Sequence, residues 1–298
     1  MLTEHVRRLS FRGLEYGCRI IENPVPSTEP IIMVGGAFQD MYAFRRLERP
    51  WTEVATVVTV DLPGSGSADH LPGHYGFDFL TGALDDLLGQ LDLGPVNLFG
   101  ASYGVPVVYP LAQQRPELVR RLLLVGASMR YPAEGLGRVQ EMADHLAAGQ
   151  DMSTYGRACV DAMMAHPDRP VRNRTVAARM VSCAMSSISG PEIPRHLAST
   201  QRLLSWEGLP GGGIKDVPAL CFTGEYDEFA LPELGREVAA TIEDGTFTLM
   251  RETDHLPNLE RGKEFARLVT DYFTDRPLER LDFLTPLECP SRDLSPVP

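Results

Sequence analysis

Short apolar runs recurring between longer amphipathic stretches constrain this chain more than any other feature. Ile31–Val34 (IIMV), Val57–Val60 (VVTV), Val96–Phe99, Leu122–Val125 (LLLV) and Ala219–Thr223 (ALCFT) are apolar or nearly so along their whole length. Strands covered on both faces read this way, whereas a half-solvated strand alternates. Between the runs, Phe77, Leu80, Leu84, Leu87, Leu88 and Leu91 repeat at helical spacing, and residues 103–115 and 259–273 also read as helices. Strand–helix alternation predicts a parallel sheet with helices on both sides. Residues 5–11 and 17–22 depart from this pattern: they read as two strands joined around Gly13, an antiparallel hairpin at the sheet edge. With Thr246–Arg251, the expected sheet is eight-stranded and mostly parallel.

The alternation stops after Val125. From Ser128 to Gly213 the sequence offers helical stretches near 134–148, 153–165, 171–187 and 195–206, parted by Pro and Gly, and GLPGGG at 208–213 reads as a flexible return to the sheet. The expected organisation is therefore a core made of residues 1–127 and 214–275, a helical cap inserted at 128–213, and a Pro-rich tail at 276–298, extended as a strap or disordered. The cap holds seven of the eleven methionines: Met129, Met142, Met152, Met163, Met164, Met180 and Met185. Methionine adapts to irregular apolar ligands. Met129, Met163 and Met185 are the candidates for a pocket lining, and the remainder are expected to pack cap helices together.

A net charge of −12 in 298 residues argues against nucleic acid or an anionic membrane as partner, because both require a basic face. The five cysteines, at 18, 159, 183, 221 and 289, are odd in number and widely spaced, which suggests neither a disulfide framework nor a metal site. The opening MLTEHVRRLSFRG has no long apolar segment, and no run of about 18 apolar residues occurs elsewhere, so a cytoplasmic protein without a membrane span is expected.

Chemistry is concentrated at Gly100-Ala101-Ser102-Tyr103-Gly104. The G-x-S-x-G pattern between a strand and a helix is that of a serine held in a strained, exposed turn. Pro106 falls in the first turn of the following helix, where its missing N–H has no role, and Pro110 lies deeper. A serine hydroxyl needs a base to become nucleophilic. Of seven histidines, His255 fits best, because it lies in a loop between the strand Thr246–Arg251 and the last helix, on the sheet edge that carries Ser102. His70 and His74 fall in a loop on that same edge and are candidate pocket groups. Asp227, just past the strand 219–223, is the candidate to orient the imidazole; Glu225, Glu228 and Asp254 are weaker choices. Oxyanion donors are expected from the N–H groups of Tyr103, at a helix N-terminus, and Ala37, in the Gly35-Gly36-Ala37-Phe38-Gln39 loop. Gln39 is a further side-chain candidate, and Gly36 and Phe38 complete the expected substrate contacts.

Together IIMVGGAFQ, VVTVDLPGSGSAD, NLFGASYG, ALCFTGEYDE and DHLPNLE resemble the α/β-hydrolase fold superfamily over nearly the whole chain. DLPGSG is similar to that family's D-x-x-G-x-G loop, and the order Ser102, Asp227, His255 is the one the architecture implies. Two positions depart from the pattern. Gly35-Gly36 stands where the family often has His-Gly, and Asp254-His255 where it often has Gly-His. A narrower likeness is to the acyltransferase that makes 3-hydroxyacyl dimers for rhamnolipids and to thioesterases and cyclases of bacterial polyketide pathways. What the resemblance implies is hydrolysis or transfer of an acyl group from an ester or thioester, free or bound to a carrier protein, and the methionine-rich cap suggests a sizeable apolar acyl chain. No metal or cofactor is expected. A chain-releasing cyclase on the same residues, and a non-catalytic binding protein on a hydrolase fold, are the rival readings.

Overall fold

The computed structural model describes residues 2–149, 151–188 and 190–293. In chain order the strands are β1 (Thr3–Phe11), β2 (Leu14–Glu22), β3 (Ile31–Val34), β4 (Val57–Asp61), β5 (Val96–Ala101), β6 (Val119–Val125), β7 (Ala219–Gly224) and β8 (Gly245–Met250). The α-helices are α1 (Arg49–Thr52), α2 (Phe77–Leu91), α3 (Val105–Gln114), α4 (Ala133–Ala147), α5 (Met152–Met163), α6 (Arg174–Ser186), α7 (Ile193–Leu204), α8 (Pro232–Ala240), α9 (Pro257–Glu260), α10 (Gly262–Phe273) and α11 (Pro290–Asp293). None of the helices among the described residues is long and apolar enough to cross a membrane.

One eight-stranded sheet runs in the order β1-β2-β4-β3-β5-β6-β7-β8. β1 and β2 form the antiparallel edge hairpin, turning at Arg12 and Gly13, and β2 meets β4 antiparallel. From β4 onward each pairing is parallel. The continuous apolar runs follow from this topology, since both sheet faces are buried. Ile32, Leu98, Leu122 and Leu124 face a core shared with α2, α3 and α8. Their neighbours Ile31, Met33, Phe99 and Leu123 face a second core with Trp51, Phe265, Leu268 and Phe273.

Several boundaries differ from the sequence reading for local reasons. The expected 259–273 helix is two pieces, broken at Arg261, whose backbone (φ −132°, ψ 51°) is not helical. The expected 103–115 helix begins as a 3₁₀ turn, Ser102–Gly104, before α3. Helices α4–α7 fall between β6 and β7; α5 packs on α4 and α6, α4 also on α7, and α6 reaches α9. Residues 283–288 follow the outer edge of β8, where Phe247 and Glu288 exchange backbone hydrogen bonds at 2.8 Å each way and Leu284 bridges Met250; the end of the expected tail, 294–298, lies outside the described residues.

Candidate active site

β5 delivers Ser102 to the carboxyl end of the sheet, where its backbone takes φ = 48°, the left-handed region that costs a side-chain-bearing residue about 1–3 kcal/mol. The turn closes because Gly104 has no side chain. A Cβ there would stand 2.6 Å from the Val34 carbonyl oxygen and 2.8 Å from that of Gly35. The start of α3 is thus seated directly on the end of β3, beside the loop that follows it.

His255 is brought to Ser102 by the loop after β8. Its Nε2 is 2.9 Å from the serine Oγ, and its Nδ1 is 2.8 Å from Oδ2 of Asp227. A carboxylate only accepts, so Nδ1 carries the proton and Nε2 is left to accept the serine O–H. Asp227, 2% exposed, is itself held: Oδ1 accepts the N–H groups of Phe229 and Ala230 (2.9 and 2.7 Å), and Thr223 Oγ1 donates to Oδ2. Burial by itself lowers the pKa of His255, but the charge and hydrogen bond of Asp227, with Asp254 behind it, outweigh burial and raise it above the ordinary imidazole value. Glu225 and Glu228 are engaged elsewhere, with the Glu252 N–H and the Arg169 guanidinium respectively. Asp254 likewise turns from the imidazole, accepting the N–H of Ala165 at 3.0 Å and of Leu256 at 3.1 Å.

The loop after β3 lines the other side. The Gly36 N–H donates to Oε1 of Gln39 at 2.7 Å, so the Gln39 side chain braces the loop that lacks the family's histidine. Gln39 is therefore a loop brace through its carbonyl oxygen. Phe38, at φ = 64°, stacks on His196 with ring centroids 4.2 Å apart and 9° between planes. Burial pushes the pKa of His196 down to about 4, so it stacks as a neutral ring, with Nδ1 3.1 Å from the Tyr155 hydroxyl.

A mostly apolar cavity of about 80 Å³ opens on Ser102 and His255. Gly36, Ala37, Phe38, Gln39, Tyr103 and Met163 line it. Met129 and Met185 do not: both are half-buried against the main core, Met129 in the segment after β6, where its carbonyl takes the Leu209 N–H, and Met185 on α6, which packs on α5. His70 and His74 are exposed and line neither this cavity nor its neighbour. That neighbour, about 150 Å³ and more polar, shares Gly36, Phe38, Gln39, Tyr103 and Ser199 with the first and adds Ser65, Arg195 and Arg202.

The sequence profile of the α/β hydrolase family matches residues 31–268, spanning the serine turn, Asp227 and His255. The chain belongs to the α/β hydrolase family. Among hydrolase relatives, (E)-2-((N-methylformamido)methylene)succinate hydrolase of Acinetobacter baylyi is 22% identical over 78% of this chain and 85% of its own length. Pimeloyl-[acyl-carrier protein] methyl ester esterase of Chromobacterium violaceum is 24% identical over 81% of this chain and 93% of its own. In fold, the hydrolase is similar to MGS-M2, an α/β hydrolase enzyme from a Medee basin deep-sea metagenome library: TM-score 0.78, 13% identity, 91% of this chain and 98% of that one.

Other groups at this hydrolase's site were not singled out from the sequence. Tyr131, 4% exposed, stands over Phe229 and Trp206 (centroids 4.9 and 5.3 Å), and Phe229 in turn lies 4.9 Å from the His255 ring. Burial holds the Tyr131 phenol above its usual range, with the adjoining Ser102 hydroxyl working in the opposite sense. Arg202, 1% exposed, gives Nη1 to the Tyr103 hydroxyl at 2.7 Å and its other N–H groups to the carbonyls of Leu71, Pro72 and Tyr75. Spacing held the available signal. Val139 and Met142 are one turn apart on α4, and Arg195, Ser199 and Arg202 share one face of α7, so both sets line cavities together.

Proposed function

We propose that this α/β hydrolase cleaves a carboxylic ester or thioester by a serine-based, two-step acyl transfer. The observation that carries the reading is the unbroken hydrogen-bond chain Ser102–His255–Asp227, whose serine and histidine line the apolar cavity. Neutral His255 takes the Ser102 proton as Oγ attacks the acyl carbon, and Asp227 stabilises the imidazolium that forms. The N–H groups of Ala37 and Tyr103 hold the developing oxyanion; with the Gly36 N–H spent on Gln39, Ala37 supplies the next amide of the loop. The imidazolium returns its proton to the leaving alcohol or thiol, and water releases the acyl group by the same steps in reverse.

Helices α4–α7 are read as a cap over this centre, contributing Val139, Met142, Met163 and Leu203 to the apolar wall. A cavity of about 80 Å³ suits an acyl group of moderate length, shorter than the methionine content suggests. The polar neighbouring cavity is assigned to the alcohol or thiol portion. The esterase relative supports an ester substrate, and by its name that protein acts on a carrier-linked acyl group. A carrier-bound acyl group is the corresponding candidate here. The test is Ser102→Ala, which is expected to abolish both turnover of short p-nitrophenyl esters and labelling by a fluorophosphonate. Retained labelling in that variant refutes the assignment.

A further inference from the structure

Asp254 precedes the catalytic-loop histidine where the family often carries glycine, and it is completely buried. Beside it lies Glu260 of α9, 1% exposed, whose Oε2 accepts the Asp254 N–H at 2.8 Å. The other oxygen, Oε1, is buried with no hydrogen-bond partner among the described residues. Two carboxylates buried against each other, one with an orphaned oxygen, cost several kcal/mol if both are ionised. A proton on Glu260 removes the conflict: the orphaned oxygen becomes a donor toward Asp254, and the Asp254 carboxylate then receives three donors, Ala165 N–H, Leu256 N–H and the Glu260 O–H.

We propose that Asp254 and Glu260 act as a proton-sharing carboxyl pair that positions His255, docks the α5–α6 connection on the core at Ala165, and lends His255 one negative charge. This rests on reading His255 as the general base. Burial first, and then Asp254, push the pKa of Glu260 up to about 10, in accord with the geometry. The charged groups around the pair leave it that proton. His255 and Asp227 are engaged with each other. Arg174, from α6, donates to the Ala165 carbonyl. Arg261 is taken by Glu252, Glu264 and the Arg251 carbonyl. The same carboxyl pair thus fixes the Ala165 N–H while Arg174 fixes the Ala165 C=O, tying that residue down from both sides. Asp254 and Glu260 are positioning residues, since neither touches the reacting atoms.

Two measurements on the full-length chain test this. Infrared difference spectra comparing Ser102→Ala with Ser102→Ala/Glu260→Gln are expected to show a protonated-carboxyl C=O band well above neutral pH that vanishes in the second protein. In the active background, pH profiles of kcat/KM with a short p-nitrophenyl ester are expected to shift their acid limb to lower pH in Asp254→Asn, because Asp227 is left as the remaining carboxylate that raises the His255 pKa. Glu260→Gln, which keeps a donor toward Asp254, retains more activity than Glu260→Ala. The absence of the carboxyl band overturns the proposal, as does an unmoved acid limb in folded Asp254→Asn. If Asp254→Asn does not fold, the infrared comparison still decides. Failure of the serine-hydrolase reading has a different signature, namely turnover surviving in Ser102→Ala whatever the band shows.

Discussion

Gln39 holds Gly36: its side-chain carbonyl oxygen accepts the glycine N–H at 2.7 Å, and its own backbone N–H donates to the Gly36 carbonyl at 3.3 Å in the loop that faces Ser102. Replacing Gln39 by Ala frees the glycine N–H and, on the proposed mechanism, lets the Ala37 amide drift from the oxyanion position. A misplacement of about 1 Å costs on the order of 10–100-fold in rate. Gln39→Ala is therefore expected to lower kcat by that order with KM little changed. Steady-state kinetics decide the point, and a loss confined to KM contradicts the bracing role.

The raised pKa of His255 sets the sign of the pH response. With His255 as the proposed base, a protonated imidazole cannot accept the serine proton, so activity is expected to be absent below the folded-state pKa and to appear as pH rises through it. The acid limb of kcat/KM is thus expected above the ordinary imidazole value of about 6.5. Asp227→Asn removes the charge and the acceptor that keep Nδ1 protonated. It should lower kcat by about 10⁴-fold and move the limb downward. Rate profiles of both proteins against pH report this, and wild-type kcat in Asp227→Asn excludes the assigned role.

Gly104→Ala places a methyl group 2.6 Å from the Val34 carbonyl oxygen, where backbone rather than a yielding side chain stands in the way. Overpacking of this kind costs about 1–3 kcal/mol. Thermal unfolding should show that loss, together with reduced activity as the Ser102 turn is displaced. Gly89→Ala is the control: it lies in α2 with nothing among the described residues within 4 Å of the added carbon, and is expected to gain about 0.5–1 kcal/mol. A Gly104→Ala protein as stable as the parent removes the steric account of the turn.

What the sequence made legible was whatever depends on local pattern. Apolar runs such as IIMV and LLLV report a sheet buried on both faces, and the glycine spacing around Ser102 reports a tight strand-to-helix turn. His255 and Asp227 were findable because each follows a strand that the pattern had already located, and parallel strands deliver such loops to one edge. Contacts set by packing between distant segments left no comparable trace. Nothing near Met142 says that it lines the cavity at Ser102 while Met185, on α6, packs against the main core instead. The Tyr131 hydroxyl and the Arg202 guanidinium reach the site through tertiary geometry alone. Asp254 announced itself as an unusual neighbour of His255, but its companion Glu260 is visible only once α9 has folded back over the loop.

The backbone exchange between Phe247 and Glu288 has a consequence for self-association. β8 ends the sheet, and its outward amides and carbonyls are already occupied by the molecule's own polypeptide. An occupied rim cannot template a strand from another copy, so fibril growth by sheet extension is barred on that side. On the opposite rim, Glu4, Arg7 and Arg8 of β1 are exposed, and charges along an open strand discourage the same docking.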